Sequence, residues 1–178
     1  MKFVLASTRF PPTRLIGGIV ESSYRISTAL SDLGHEVTVV CTDAGQKSDE
    51  LDRSTLKEIK QSKLTIVLCR SFFSEFYGVT LDLYKIFLTI KNRPDALIAN
   101  ELFSFLTIAS MVFACLFRVP YVLFPRGALM PNVFKGSKKK KYFMTILGRF
   151  LVNKASSIAV TSEAEKDAVQ SLFQGNNI

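Results

Sequence analysis

The 178-residue chain has few of the residues that build metal centres and nucleophilic triads. His35 is the only histidine, so the sequence does not support a zinc site with several histidine ligands, and a Ser-His-Asp triad would have to use this one residue. His35 follows the end of a predicted helix, where a structural role is more common. Cys41, Cys69 and Cys115 lie far apart in apolar runs and form no Cys-x-x-Cys pair. They are predicted to be buried, reduced thiols, which indicates a cytosolic protein.

Long apolar segments are also scarce. Residues 1–5 form too short an apolar run before Arg9 to serve as a signal peptide. Residues 102–117 are uncharged, but a membrane-spanning helix needs about 20 apolar residues. This run is therefore predicted to be a fully buried core helix. The sequence predicts a cytoplasmic protein that is soluble and touches a membrane only peripherally, on its inner face.

Acidic residues are missing from one long stretch, residues 102–162. That stretch contains nine lysines and arginines, which leaves 14 basic and 15 acidic side chains in the rest of the chain. The whole net charge of +8 therefore comes from this stretch. A basic patch on one side of a protein favours an anionic partner, such as a phospholipid surface, a phosphorylated substrate or nucleic acid.

Short apolar runs alternate with helical patterns along the chain. Strands are predicted at residues 2–7, 36–42, 64–69, 96–99, 121–124 and 157–160. The first helix is predicted to end at Gly34 as its C-terminal cap. Its apolar residues fall broadly on one face: Ile19, Tyr24, Ile26, Leu30 and Leu33. Near-continuous apolar strands separated by helices predict one α/β domain over residues 1–178, a Rossmann-like, doubly wound parallel sheet with helices on both faces.

The turn after the first strand contains Gly17 and Gly18 at the start of a helix. Glycine lets backbone N–H groups approach a ligand closely, and the N–H groups and dipole of a helix start favour an anion. Arg9 and Arg14 lie in the same loop and would add positive charge to bound phosphate. The pattern predicts a phosphate site. The alternative is that the two glycines only shape a tight entry into the helix.

Ligands of doubly wound sheets bind outside the carboxyl ends of the strands. The chain places the Gly-Gly loop, residues 100–101 and the loop 125–131 at this edge. Ser162 and Glu165 show the pattern of a capping box. In such a box the Ser162 hydroxyl accepts the N–H of Glu165, and the Glu165 carboxylate reaches back to Ser162.

Several stretches resemble one family in the same order along the chain. They are PPTRLIGGIVESSYRISTALSDLGHEVTVV, PDALIANELFSF, VPYVLFPRGALMP, a lysine-rich helix and VTSEAEKDAV. Together they are similar to the N-terminal half of the GT-B glycosyltransferases of family 4. They do not resemble the dehydrogenase class, because no Gly-x-Gly-x-x-Gly follows the first strand. The resemblance implies an acceptor-binding half without the second domain, which would bind the nucleotide sugar through a Glu-x7-Glu motif.

The resemblance implies sugar transfer from a nucleotide-sugar donor to a saccharide or lipid-linked acceptor in surface-polysaccharide assembly. It implies retention at the anomeric carbon, with no metal or other cofactor. It puts Gly17, Gly18 and Arg14 at the donor phosphates. The chain alone is expected to be inactive, because half a cleft cannot position two reactants.

The resemblance also points to residues near the reacting centre. Arg126 and Gly127 fall where many relatives have His-Gly. Arginine does not act as a general base at neutral pH, so Arg126 is predicted to serve the catalytic centre by binding an anion. The predicted acceptor contacts are Asn100, Glu101, Arg126 and Gly127, with Met130 beside them.

The lysine-rich segment predicts a second contact, with an anionic membrane. Lys135, Lys138, Lys139, Lys140 and Lys141 crowd the start of a helix predicted at residues 137–154, where the helix dipole disfavours cations. Apolar residues follow at helical spacing: Phe143, Ile146, Leu147, Phe150 and Leu151. The alternative is that this apolar side packs on the sheet and the lysines are merely solvated.

Two rival classes remain open from the residues alone. A non-catalytic α/β binding or scaffold subunit would use its basic patch on a membrane. A nucleic-acid-binding module would use the same patch on DNA or RNA. The chain shows no recognisable nucleic-acid motif and no alternation of aromatic and basic residues on a strand, so no nucleic acid is expected as a partner.

Overall fold

The computed structural model describes residues 1–11, 17–43, 64–72, 79–134 and 138–172. These residues contain a sheet of six strands, every one parallel to its neighbours. The strands are β1 (Lys2–Ala6), β2 (Glu36–Thr42), β3 (Leu64–Cys69), β4 (Ala96–Asn100), β5 (Tyr121–Phe124) and β6 (Ser157–Ile158). Their order is β3-β2-β1-β4-β5-β6. The predicted doubly wound parallel sheet is confirmed, and the strand order reverses direction between β1 and β4.

Helices follow most strands. They are α1 (Gly18–Asp32), α2 (Leu83–Lys91), α3 (Phe105–Phe117), α4 (Pro131–Phe134), α5 (Lys138–Phe143), α6 (Arg149–Lys154) and α7 (Glu163–Leu172). A π-helical segment, Met144–Gly148, joins α5 to α6. We call these three consecutive pieces, residues 138–154, the lysine helix.

Apolar residues on the two faces of the sheet form two cores. Side chains alternate between the faces along a strand. Leu5 and Val39 pack with Phe10 and the partly buried Tyr24 of α1. On the other face the buried residues come from the strands, from α2 and α3 and from the lysine helix. The sheet is therefore covered on both sides, which explains why its central strands are apolar on both faces.

Helix α1 packs differently from the prediction. Its buried side chains are Ser23, Ser27 and Ser31, whereas Leu33 is 73% exposed. Serine is small enough to let the helix lie close to the sheet, and the Ser27 hydroxyl is satisfied by the carbonyl of Tyr24 at 2.9 Å. The placement of Leu33 on the buried face was wrong. Gly34 is confirmed as the cap, with a left-handed φ of 83°.

The apolar run at residues 102–117 is only partly a buried helix. Leu102 is buried but precedes α3, and Val112 and Leu116 point outward with 39% and 66% exposure. The expectation of a fully buried helix was therefore wrong for its outer side. Among the described residues, no helix combines the length and the apolar character needed to cross a bilayer.

The cysteines behave largely as predicted. Cys41 and Cys69 are buried, and Cys115 is half-buried with its Sγ 3.9 Å from the Tyr121 hydroxyl. Burial raises the pKa of the Cys41 thiol to about 12 and that of Cys69 to about 11. These two thiols are protonated at neutral pH and act as small apolar side chains.

Candidate functional site

The polar residues of the site gather where β1, β4 and β5 end. Ser7 and Thr8 follow β1. Asn100 is the last residue of β4 and Glu101 follows it, and Arg126 comes two residues after β5. Because β1 and β4 are neighbours at the point where strand order reverses, their carboxyl ends bound a crevice. The sequence analysis placed residues 100–101 and the loop 125–131 at this edge, and the structure brings them together. Ser7 and Thr8 were not predicted there.

Arg126 bridges three elements across this crevice. Its Nε donates to Asn100 Oδ1 at 2.7 Å, and its Nη2 donates to Ser22 Oγ on α1 at 2.8 Å. The guanidinium lies 5.0 Å from the centroid of the Phe124 ring. Burial lowers the pKa of Arg126, an effect that Glu165 and Glu101 oppose. A cation fixed by two neutral acceptors keeps its charge available to an anion in the crevice.

Asn100 lies behind Arg126 and is fully buried. Its Nδ2 donates to Ser23 Oγ at 2.5 Å, and Ser23 Oγ lies 3.0 Å from Ser7 Oγ. These bonds connect the end of β4 to α1 and to the end of β1. Asn100 stays a predicted acceptor contact; its buried amide supports Arg126 and α1 through these bonds.

Glu101 lies beside the crevice in a strained backbone conformation, with φ 121°. Its Oε2 accepts the Thr8 hydroxyl at 2.9 Å, and that hydroxyl also lies 2.5 Å from Ser104 Oγ. Burial raises the pKa of the Glu101 carboxyl to about 7, although the Thr8 hydrogen bond and the positive charge of Arg9 oppose the rise. A carboxyl of this kind can hold or release a proton near neutral pH.

Glu165 is a site residue that the sequence analysis did not identify as one. It is 1% exposed, and its Oε1 accepts the backbone N–H of Gly127 at 2.5 Å. Its Oε2 accepts the N–H and the hydroxyl of Thr161 at 2.9 and 3.0 Å. The predicted capping box is half correct, since Ser162 Oγ accepts the Glu165 N–H at 3.2 Å. The carboxylate bonds to Thr161 and Gly127 instead of reaching back to Ser162.

This carboxylate holds a tight turn. Arg126 and Gly127 both have left-handed backbones, with φ of 56° and 76°. A left-handed conformation is unfavourable for arginine, so it persists where surrounding contacts impose it. The Gly127–Glu165 bond is such a contact. It connects the start of α7 to the turn that presents Arg126.

The profile of Glycosyltransferase Family 4 matches residues 16–177. The chain belongs to glycosyltransferase family 4. No curated protein matches it by sequence. The match covers Gly17 and Gly18, the crevice residues that follow β4 and β5, and the lysine helix. The predicted resemblance to the N-terminal half of these GT-B enzymes is confirmed.

Solved structures share the fold at low identity. HepE from Anabaena, crystallised with UDP and glucose, is 17% identical with a TM-score of 0.64 over 99% of this chain and 42% of HepE. A putative UDP-N-acetylglucosamine 2-epimerase from Listeria monocytogenes is 16% identical with a TM-score of 0.61, over 98% of this chain and 43% of the epimerase chain. UGT89C1 from Arabidopsis thaliana, complexed with UDP, is 12% identical with a TM-score of 0.56, over 99% of this chain and 47% of UGT89C1. The chain spans less than half the length of each. An epimerase among them shows that this fold alone does not decide the reaction.

The glycine loop of this family 4 domain lies at the start of α1. Gly17 is the N-cap with an extended backbone, and both Gly17 and Gly18 are exposed. A Cβ placed on either glycine would meet no atom within 4 Å. Crowding by neighbouring atoms is therefore not the reason for glycine at either position. Arg14 lies outside the described residues.

His35 and the lysines form no part of the hydrogen-bond network described for Arg126. His35 precedes β2, at the opposite edge of the sheet, and its ring lies 5.3 Å from that of Phe3. Lys138 is exposed on α5, and Lys139, Lys140 and Lys141 follow it in the same helix.

Proposed function

We propose that this family 4 domain is the acceptor-binding half of a retaining glycosyltransferase. The enzyme would move a sugar from a nucleotide-sugar donor to a saccharide or lipid-linked acceptor in surface-polysaccharide assembly. The observation that carries the proposal is the crevice in which Arg126 and Asn100 bond to Ser22 and Ser23 in the first turns of α1. These bonds hold the start of α1, with its glycine loop, next to the half-buried cation of Arg126. UDP in the HepE and UGT89C1 structures supports a nucleoside diphosphate as the donor's leaving group.

The donor diphosphate would lie at Gly17 and Gly18. There the N–H groups and dipole of α1 favour negative charge, and Arg14 and Arg126 would add positive charge. Charge develops on the diphosphate as the bond to the sugar breaks, so donors fixed at that position lower the barrier. No metal is needed in this scheme. A second domain would hold the nucleotide and select the sugar.

The acceptor would lie against Glu101, Arg126 and Gly127. The Glu101 carboxyl, which accepts the Thr8 hydroxyl, would also accept a hydrogen bond from a hydroxyl of the acceptor. Asn100 supports this surface from behind. Met130, whose N–H donates to the Gly127 carbonyl at 3.1 Å, closes the same turn.

The lysine helix would hold the enzyme on the inner face of an anionic membrane. Lys138 is exposed. Leu147 and Leu151 pack inward, whereas Ile146 and Phe150 are 58% and 48% exposed, which supports a membrane contact for the outer side of the helix. Each lysine near an anionic surface contributes about 1 kcal/mol, so binding should depend strongly on salt. Changing Lys138 to Lys141 to glutamine should abolish co-sedimentation with acidic vesicles.

The glycine loop provides the test of the transferase function. Gly18→Val in the complete enzyme should lower donor-dependent kcat/KM by about 100-fold or more, because a branched side chain blocks close approach of phosphate to the helix start. The fold should survive, since the new side chain meets open space. Ile19→Val, at the next position, is the matched control. Normal kinetics of Gly18→Val, with unchanged circular dichroism, would reduce these glycines to turn formers.

A further inference from the structure

A cavity lies at the amino ends of β1, β2 and β3, at the opposite edge of the sheet from Arg126. It has a volume of about 270 Å³ and lies between the sheet and the end of α2. We call it the amino-edge cavity. Because β1 has five residues and a strand rises about 3.3 Å per residue, the two edges of the sheet are roughly 15 Å apart. A ligand of one ring in this cavity therefore does not touch the crevice.

Threonines lie in the sheet at the floor of the amino-edge cavity. Thr38 of β2 pairs with Val4 of β1 on one side and with Thr65 of β3 on the other, and all three line the cavity. On this face β2 becomes less buried toward its start, since Val40 is buried, Thr38 half-buried and Glu36 exposed. Strands of a parallel sheet covered on both faces are normally apolar throughout. The two hydroxyls therefore mark a part of the sheet that the described helices leave open.

The end of α2 forms the roof of the cavity. Thr89 lies in the last turn of α2, Asn92 follows the helix, and Pro94 comes two residues later. Asp95 fixes this turn to β1. Its N–H donates to the Lys2 carbonyl at 2.8 Å, and its Oδ2 accepts the Lys2 N–H at 2.7 Å. The roof is thus attached to the floor in the unliganded chain, as is usual for small-molecule sites.

The polar side chains of the lining have hydrogen-bonding capacity to spare. Within the part of the chain that the structure describes, the side chains of Thr38, Thr65 and Asn92 form no hydrogen bond. The Thr89 hydroxyl donates to the Lys85 carbonyl at 2.8 Å, and its oxygen still accepts. Three hydroxyls and one amide therefore provide both donors and acceptors to a ligand.

The charges that border the cavity are paired. Lys2 Nζ lies 3.5 Å from Glu36 Oε2, and both residues line the cavity. An ion of either sign would therefore meet a charge that already has a partner. Val4, Val67 and Pro94 add apolar surface to the lining. The lining suits a neutral ligand that has hydroxyls at its edge and C–H groups on its faces.

We propose that the amino-edge cavity binds a neutral, ring-shaped polyol such as a single sugar residue. The hydroxyls of such a ring donate and accept, as the threonines and Asn92 do. Sites for drug-sized ligands have volumes of about 300–1,000 Å³, so a cavity of about 270 Å³ fits one ring rather than a chain of them. The proposal is separate from the transfer reaction. Binding here is measured on the chain itself, so either proposal can fail without the other.

Glucose is the first probe. In nuclear magnetic resonance titrations of the 15N-labelled chain, glucose should shift the amide signals of residues 38, 65 and 92, with a Kd in the millimolar range. Thr38→Val with Thr65→Val removes two hydroxyls, keeps the branched shape and should raise this Kd about 10-fold. Asn92→Ala, on the roof, should weaken binding independently of the sheet. Thr28→Val is the matched control, because Thr28 is a half-buried threonine of α1 on the other face of the sheet.

Two further probes define the class of ligand. myo-Inositol has a ring of hydroxyls but no anomeric carbon, so binding equal to that of glucose would assign the cavity to cyclic polyols, and weaker binding would assign it to sugars. Glucuronate should bind no better than glucose, and much tighter binding would overturn the assignment to neutral ligands.

Three results would refute the site itself. One is the absence of any shift with glucose at about 100 mM, which is far above a millimolar Kd. Another is an equal Kd for the native chain and the double threonine variant. The third is a set of shifts confined to residues 100, 101 and 126, which would place the sugar in the crevice.

Discussion

The buried carboxylate of Glu165 should be required for the stability of the turn that carries Arg126. Glu165→Gln keeps the size of the side chain but replaces one carboxylate oxygen with an NH2 group. In the native chain one oxygen accepts from Gly127 and the other from Thr161, through its N–H and its hydroxyl. The amide oxygen of glutamine can serve only one of these two sides. The backbone N–H on the other side then faces the NH2 group of glutamine, which is itself a donor.

The size of the effect follows from burial. Glu165 is 1% exposed, so water does not replace the lost acceptor. A buried N–H left without a partner costs about 1–3 kcal/mol. For a chain of this size, that loss corresponds to a fall in Tm of about 3–10 °C. The partner freed most readily is the Thr161 N–H, because the Thr161 hydroxyl can turn to accept from the new NH2 group while the amide oxygen keeps the bond from Gly127.

Glu163→Gln is the matched control. Glu163 lies in the same first turn of α7, so both substitutions remove the same favourable interaction with the helix dipole. Its side chain is 86% exposed and forms only a surface ion pair with Lys166 at 3.5 Å, so little change is expected. Urea unfolding followed by circular dichroism gives the unfolding free energy of each variant. Equal unfolding free energies for the two variants would refute the role given to Glu165.

Three further outcomes are expected. Burial raises the pKa of Glu101 from 4.5 to about 7, so the folded chain retains a proton that the unfolded chain releases. The free energy of unfolding should therefore fall by about 1–3 kcal/mol, relative to that of Glu101→Gln, as pH rises from below 4.5 to above 7. A difference between the two proteins that stays constant with pH in urea unfolding would contradict this. Gly34→Ala should cost about 1 kcal/mol in the same assay because φ is 83°, whereas Gly34→Asn should cost less. Cys41 and Cys69 should react with a thiol reagent at pH 8 only after unfolding, as mass spectrometry of labelled peptides would show; rapid native labelling would mean that this core opens.

The strands were predictable because their signal is local. Apolar runs such as residues 36–42 are too short and too β-branched for helices, and the turn at Gly34 marks where α1 must end. The helix faces were less predictable. The buried serines of α1 do not appear in an apolar pattern, because their burial depends on how closely the helix approaches the sheet.

The sequence by itself determined the class of fold, and it predicted the edge of the sheet where Asn100, Glu101 and Arg126 lie together. Each of these follows from the order of short apolar runs and from the polar residues that end them. Only the tertiary structure decided how those residues act on one another. Arg126 reaches Ser22, which is 104 positions away, and Gly127 reaches Glu165, which is 38 positions away. Contacts across such distances depend on which strands become neighbours, and no local pattern of residues contains that information.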